Sequence, residues 1–112
     1  MKRRRLALAT LIAALACVRA PAASAADIAL GKAKAAEVCD TCHGAAGNST
    51  SQDFPKLGGQ HRDYLEKTLR DYRSGERKNA IMASFAKALS KEDIDNLAAY
   101  YAAQPAVVST RH

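Results

Sequence analysis

Between Arg62 and Ser74, apolar residues fall at Leu65, Leu69 and Tyr72 with Tyr64 and Thr68 beside them. Charges fill the other face, so the pattern predicts a helix closed by Gly75. A second helical stripe, Ile94, Leu97, Ala98 and Tyr101, follows a capping-box signal at Ser90 and Asp93 and stops before Pro105. Ala26 to Val38 is rich in helix formers, with Asp27 near its start and Ile28, Leu30, Ala35 and Val38 as its apolar set. It predicts a first helix, weakened at Gly31 unless a neighbour packs against the missing side chain. Glu76 to Ile81 is polar and ends in Met82, and Ala83 to Leu89 reads as a short helix. Gly44 to Gln60 switches to Gly, Ser, Asn, Thr, Asp and Pro, a loop of roughly seventeen residues, and loops of that length are usually functional. Val107 to His112 reads as a frayed tail. No strand-period segment, internal repeat or linker interrupts the series, so the expected fold is all-α, with four or so short helices.

The first 25 residues change what the composition means. Lys2, Arg3, Arg4 and Arg5 precede an apolar run from Leu6 to Val18, and Ala23-Ser24-Ala25 offers small residues for cleavage. Residues 1–25 therefore read as a secretory signal peptide and 26–112 as the mature domain. A membrane anchor is the competing reading, but the run falls short of the ~18 apolar residues a spanning helix wants. Lipid attachment through Cys17 is a minor alternative, because Ala14 stands where a larger aliphatic is normal. Five of the 17 Lys and Arg lie in this segment and none of the 11 Asp and Glu do. The mature balance is 12 basic against 11 acidic side chains, a net +1 rather than +6. That balance leaves no basic field for nucleic acid. A domain this small, rich in Ala and with two Phe and four Tyr, has a thin core and is expected to lean on a cofactor or cross-link.

The chemistry concentrates in Cys39-Asp40-Thr41-Cys42-His43. Two thiols three positions apart can each add across a vinyl group of one porphyrin, and the adjacent imidazole can then ligate the iron, so Cys-x-x-Cys-His is the attachment sequence for covalent haem. Three Cys and three His in 112 residues would give this spacing by chance in roughly two chains per thousand. The rivals are a redox-active disulfide, which usually sits at a strand-to-helix junction, and half of a zinc site, which would need further ligands. With haem attached, His43 is one axial ligand and its second ring nitrogen needs an acceptor. The carbonyl of Pro55, in the long loop, is a candidate for that role. Met82, the one methionine of the mature chain, is the candidate for the opposite axial position. His61 competes, although it stands at a helix start, and so does His112 in the tail. Tyr64, Leu65, Leu69, Tyr72, Phe85, Leu97, Tyr100 and Tyr101 are candidate pocket walls, and Gly31 with Tyr100-Tyr101 marks a crossing of the first and last helices. Most other Lys and Arg read as solvated charges, some of them ringing an exposed haem edge.

The residues that carry a resemblance are Cys39 to Gly44, Pro55-Lys56-Leu57-Gly58-Gly59-Gln60, Tyr64-Leu65, Leu69, Tyr72 to Arg77, Met82, and Leu89-Ser90 leading into Leu97 to Tyr101. In order and spacing they resemble the bacterial class I cytochromes c, and most nearly the cytochrome c-553 and cytochrome c-4 group. The resemblance implies helices wrapped around one covalent haem c, His43 and Met82 as axial iron ligands, and the Pro55 carbonyl holding His43. Cytochromes of the c-4 kind carry two such domains, whereas this chain has one. Ala35 stands where the family often has an aromatic, which implies a looser helix crossing. The function expected is periplasmic transfer of single electrons, without catalysis. A dehydrogenase or quinol-oxidising complex would be the donor and a terminal oxidase the acceptor. The alternatives are a haem domain that binds a small gas at a labile sixth position and a haem-free thiol–disulfide oxidoreductase.

Overall fold

Helix α5 (Lys91–Ala102) is the element against which the others are placed, and its start follows the local signal. The Ser90 hydroxyl accepts from the Asp93 N–H at 3.0 Å while Asp93 accepts from the Ser90 N–H at 3.0 Å, a complete capping box. Ile94 and the run Asn96 to Tyr101 are buried, so α5 is covered on more of its circumference than the expected stripe of four. The structure is a computed structural model that describes residues 25–106; the signal segment with Cys17, and the tail from residue 107 with His112, lie outside them.

Helix α1 (Ile28–Val38) is capped by Asp27, whose carboxylate accepts from the Leu30 N–H. The Asp27 N–H donates to the buried Asn96 side chain at 2.7 Å, tying the start of α1 to α5. The two helices then cross at Gly31, where an added Cβ would lie 2.1 Å from the Asn96 carbonyl oxygen and 2.9 Å from the Tyr100 Cβ. Ala35 is fully buried one turn later. The crossing is therefore close, and the looseness that Ala35 implies is not found at Gly31.

A one-turn helix α2 (Asp40–His43) and a 3-10 turn at Ala45–Gly47 follow. The rest of the loop to Gln60 is irregular but held: Leu57 and Gly58 donate N–H groups to the Gly47 carbonyl, and Gly59 donates to that of Tyr101 at 2.9 Å. Helix α3 (Arg62–Ser74) ends at a left-handed Gly75, as its pattern predicts. Its outer face carries ion pairs at i, i+4 spacing, Arg62 with Glu66 and Lys67 with Asp71, each worth about 0.3–0.5 kcal/mol.

Helix α4 (Ala80–Lys87) corrects the expected boundary of Ala83 to Leu89. The Asn79 side chain accepts from the N–H groups of both Ile81 and Met82, which starts the helix three residues early and puts Met82 on its first turn rather than in the preceding loop. In outline α5 packs on α1 and α3, and α4 packs on α3. The core joins Ala35, Leu65, Leu89, Ile94, Leu97, Tyr100 and Tyr101, yet among the described residues only Ile94 and Leu97 are large and fully buried, the thin core that the composition leads one to expect. No strand occurs among the described residues, and none of their helices is long and apolar enough to cross a membrane.

Gly31 gives a sharp test. Alanine favours helix over glycine by about 1 kcal/mol, but overpacking typically costs 1–3 kcal/mol and backbone cannot yield as a side chain can. Gly31→Ala is expected to destabilise the protein by about 2 kcal/mol in denaturant titration, and an unchanged or raised midpoint would contradict the crossing.

Candidate haem site

Cys39 belongs to two helices. Its N–H donates to Ala35 at 2.8 Å, closing α1, and its carbonyl accepts from Cys42 and His43 at 3.2 and 3.0 Å, opening α2. Residues three apart on one turn share a face, so the two thiols are presented side by side, both free and half-buried. His43 is buried at 6% exposure, and its Nδ1 lies 2.8 Å from the Pro55 carbonyl oxygen. A carbonyl only accepts, so Nδ1 carries the proton and Nε2 keeps its lone pair for a metal. Phe54 meets the imidazole edge-on, with ring centroids 6.2 Å apart.

Two adjoining cavities of about 150 and 200 Å³ open beside this turn. Both are lined by Cys39, His43, Pro55, Leu69, Tyr72 and Met82, which makes them two parts of one slot bordered by the imidazole and the thioether. The sequence-proposed residues Cys39, Cys42, His43, Pro55 and Met82 thus meet at one place. Tyr64, Leu65, Leu69, Tyr72, Phe85, Leu97 and Tyr101 line the slot as expected, and Tyr100 does not. Its Cβ faces Gly31 and its ring rests against Tyr101 at 5.1 Å, because neighbouring helix positions point about 100° apart. His61 is exposed and lines neither cavity. Sequence reasoning left out Val38, Phe54, Leu57, Ile81 and Arg77 as walls. The Ile81–Phe85 spacing of four was a usable signal for α4.

The electrostatics weigh on the rival readings. Burial pushes the Cys39 thiol above its ordinary value, against a smaller lowering by Tyr101, whereas a redox-active thiol needs a lowered one. Among the described residues no group of three or more His, Cys, Asp or Glu converges as a zinc site would require. The Tyr101 hydroxyl is buried against that thiol, near enough to lower it but without a well-formed hydrogen bond, and its ionisation is pushed well above the phenol range, first by burial. An orphan donor in an apolar slot, two thiols on one turn, a tied imidazole and a thioether all suit a covalently held haem.

This fold and this site define a helical domain for a porphyrin attached through Cys-x-x-Cys-His. Residues 26–100 match the family described as cytochrome C oxidase, cbb3-type, subunit III. A cytochrome c4 from Pseudomonas aeruginosa is 47% identical over 72% of this chain and 40% of its own length. Cytochrome c-554(548) from Halomonas halodenitrificans is 42% identical over 71% of this chain and 99% of its own. A thiosulfate dehydrogenase electron acceptor from Stutzerimonas stutzeri is 48% identical over 64% of this chain and 34% of its own. The crystal structure of reduced recombinant cytochrome c4 from Pseudomonas stutzeri superimposes with a TM-score of 0.70 at 39% identity, over 75% of this chain and 48% of that one. The chain therefore belongs to the class I cytochromes c, in the cytochrome c4 type, whose cofactor is covalent haem c. It spans less than half the length of the cytochrome c4 relatives it matches.

Asn79 fixes the helix that carries Met82. Asn79→Ala is expected to lower stability by about 1 kcal/mol, read from the denaturation midpoint of the haem-loaded protein. No change in that midpoint would mean that the cap does not hold α4.

Proposed function

We propose that this chain is an exported carrier of single electrons, with His43 and Met82 as the axial ligands of one haem c. The observation that carries the reading is the shared slot: one pair of adjoining cavities has the Pro55-tied imidazole and the Met82 thioether among its common walls. Bound haem supplies an iron that cycles between ferrous and ferric states. Cys39 and Cys42 hold the group by thioether bonds. Pro55 keeps the imidazole in one tautomer and orientation, raising its basicity toward iron. Met82 adds a soft thioether that favours the reduced state and so raises the potential. With haem bound, His43 and Met82 would both hold the iron, which would leave no open site for a substrate and make the protein a carrier rather than an enzyme.

Its partners are redox proteins. Relatives named as an electron acceptor of thiosulfate dehydrogenase and as the cytochrome subunit of sulfide dehydrogenase support a dehydrogenase as donor. A quinol-oxidising complex could serve in the same place, and a terminal oxidase would receive the electron. Residues 1–25 act as the export signal, and the mature domain works in the periplasm.

Two measurements test this reading. Protein made in a host with haem-attachment machinery is expected to have the mass of the chain from Ala26 plus one haem. A bare polypeptide mass would overturn the haem assignment, a retained leader would overturn the export scheme, and a lipid on Cys17 would replace cleavage before Ala26 by a membrane tether. The oxidised protein is expected to show the methionine-to-iron charge-transfer band, and Met82→Ala should lose it and begin to bind carbon monoxide when reduced. Persistence of the band in that variant would remove Met82 from the iron. Carbon monoxide binding by the unaltered protein at neutral pH would favour a gas-binding domain instead.

A further inference from the structure

We propose that in the haem-loaded protein the Tyr101 hydroxyl donates to the Asp40 carboxylate, directly or across one water, and that this pair sets the charge felt by the iron from the Cys39 side. The proposal rests on the haem reading above. Asp40 opens α2 and stands between the two attachment cysteines. Its Oδ1 is buried without a hydrogen-bond partner, and the buried Tyr101 hydroxyl of α5 is in the same condition. A carboxylate only accepts and a phenol can donate, so each group is what the other lacks. Buried polar atoms without partners are costly, which favours a side-chain rotation or a trapped water that joins the two.

Both groups act on the Cys39 thiol. Burial raises that thiol most, Tyr101 lowers it and Asp40 raises it again. The Tyr101 phenol is raised in turn by burial first, then by Cys39 and Asp40, so the three groups feel one another. Attachment changes the middle one. The Cys39 S–H adds across a vinyl group: sulfur bonds to the carbon next to the ring, the proton ends on the outer carbon, and the double bond becomes single. The thioether that results has no proton and is a weak acceptor. The phenol is then left with the carboxylate as its stronger acceptor, and a bond to an ionised partner is roughly twice as strong as a neutral one. No cation competes for that carboxylate. The ion pairs among the described residues engage Glu37, Glu66, Asp71 and Asp95, and none includes Asp40. The cavity that Cys39 and Cys42 both border has no Lys or Arg on its wall.

The signs follow from charge. The ferric site carries one more positive charge than the ferrous, so an anion beside the thioether favours the ferric state and lowers the potential. A phenol that donates to the anion offsets part of its field. Removing Asp40 and removing the Tyr101 hydroxyl must therefore act in opposite directions.

The test is spectroelectrochemical titration at neutral pH of haem-loaded Asp40→Asn, Tyr101→Phe and the double variant. Asp40→Ala stands in should the Asn variant fail to fold, and Glu37→Gln removes a carboxylate from an exposed part of α1. For a partly solvated unit charge, Asp40→Asn is expected to shift the reduced-to-oxidised ratio about fourfold to tenfold toward reduced, where tenfold corresponds to about 59 mV. Tyr101→Phe should shift it about twofold to threefold toward oxidised, and this second effect should vanish when Asp40 is already Asn. Glu37→Gln should stay within about twofold of the parent. A merely structural role would not give this pattern, because loosening the wall admits water and moves both single variants toward oxidised. A ratio for Asp40→Asn within about twofold of the parent, with haem content and the methionine band intact, would overturn the role of Asp40. An equal Tyr101→Phe effect in both backgrounds would overturn the pair. Failure of the unaltered protein to carry haem would overturn the reading beneath it instead.

Discussion

The contact of Gly31 with the Asn96 backbone is the constraint on which the remaining structure depends. Helix α1 is stiff, and Cys39 caps it eight residues further on, so the seat of α1 on α5 sets where the attachment turn begins. At 1.5 Å per residue that is a lever of roughly 12 Å, and a small tilt at the crossing would move both thiols. Asn96 fixes the same helix a second time, through its side chain and the Asp27 N–H. One turn later Tyr101 lies beside the Cys39 thiol, and its carbonyl accepts from Gly59, so α5 also steadies the loop that brings Pro55 to His43. A single helix thus places the thiols, the imidazole and the imidazole's acceptor.

The Met82 side is built differently. Helix α4 packs on α3, and α3 in turn packs on α5, so the thioether is positioned through one more layer than the imidazole. Ile81 and Phe85, on the same short helix, are 59% and 43% exposed although both line the slot. With few large side chains fully buried elsewhere among the described residues, a haem held in the slot lined by α3, α4 and the attachment turn would itself serve as a core element. Cofactor attachment and folding are on this view two descriptions of one packing.

What could be read from the sequence was what is local. Asp27, Ser90 with Asp93, Gly75 and Cys-x-x-Cys-His each act within a turn of the chain, and each stands where its chemistry says. Asn79 acts locally too, but its cap was hidden in a polar run, so Met82 was read as a loop residue rather than as part of the first turn of α4. Tyr100 and Tyr101 are alike as residue types and adjacent, and only the direction from which α1 approaches decides that one faces the crossing and the other the slot. The loop from Gly44 to Gln60 is held mainly through backbone groups of Gly47, Leu57, Gly58 and Gly59, which leave no side-chain pattern to read.

Charge shows the same limit most clearly. A mature balance near zero predicts little field, and on α3 that is nearly so, since Arg62, Lys67 and Arg70 are each paired with Glu66 or Asp71. Arg77 lies just beyond that helix and escapes the compensation because the turn at Gly75 directs the chain back across Tyr72. As a sequence position it is one more exposed arginine, expected to be solvated. The same cation lies among Tyr64, Thr68 and Tyr72 at the edge of an apolar slot, where none of the carboxylates of α3 pairs with it. Net charge describes how the domain as a whole meets solvent, whereas the neighbours of one cation are set by the turn that carries it.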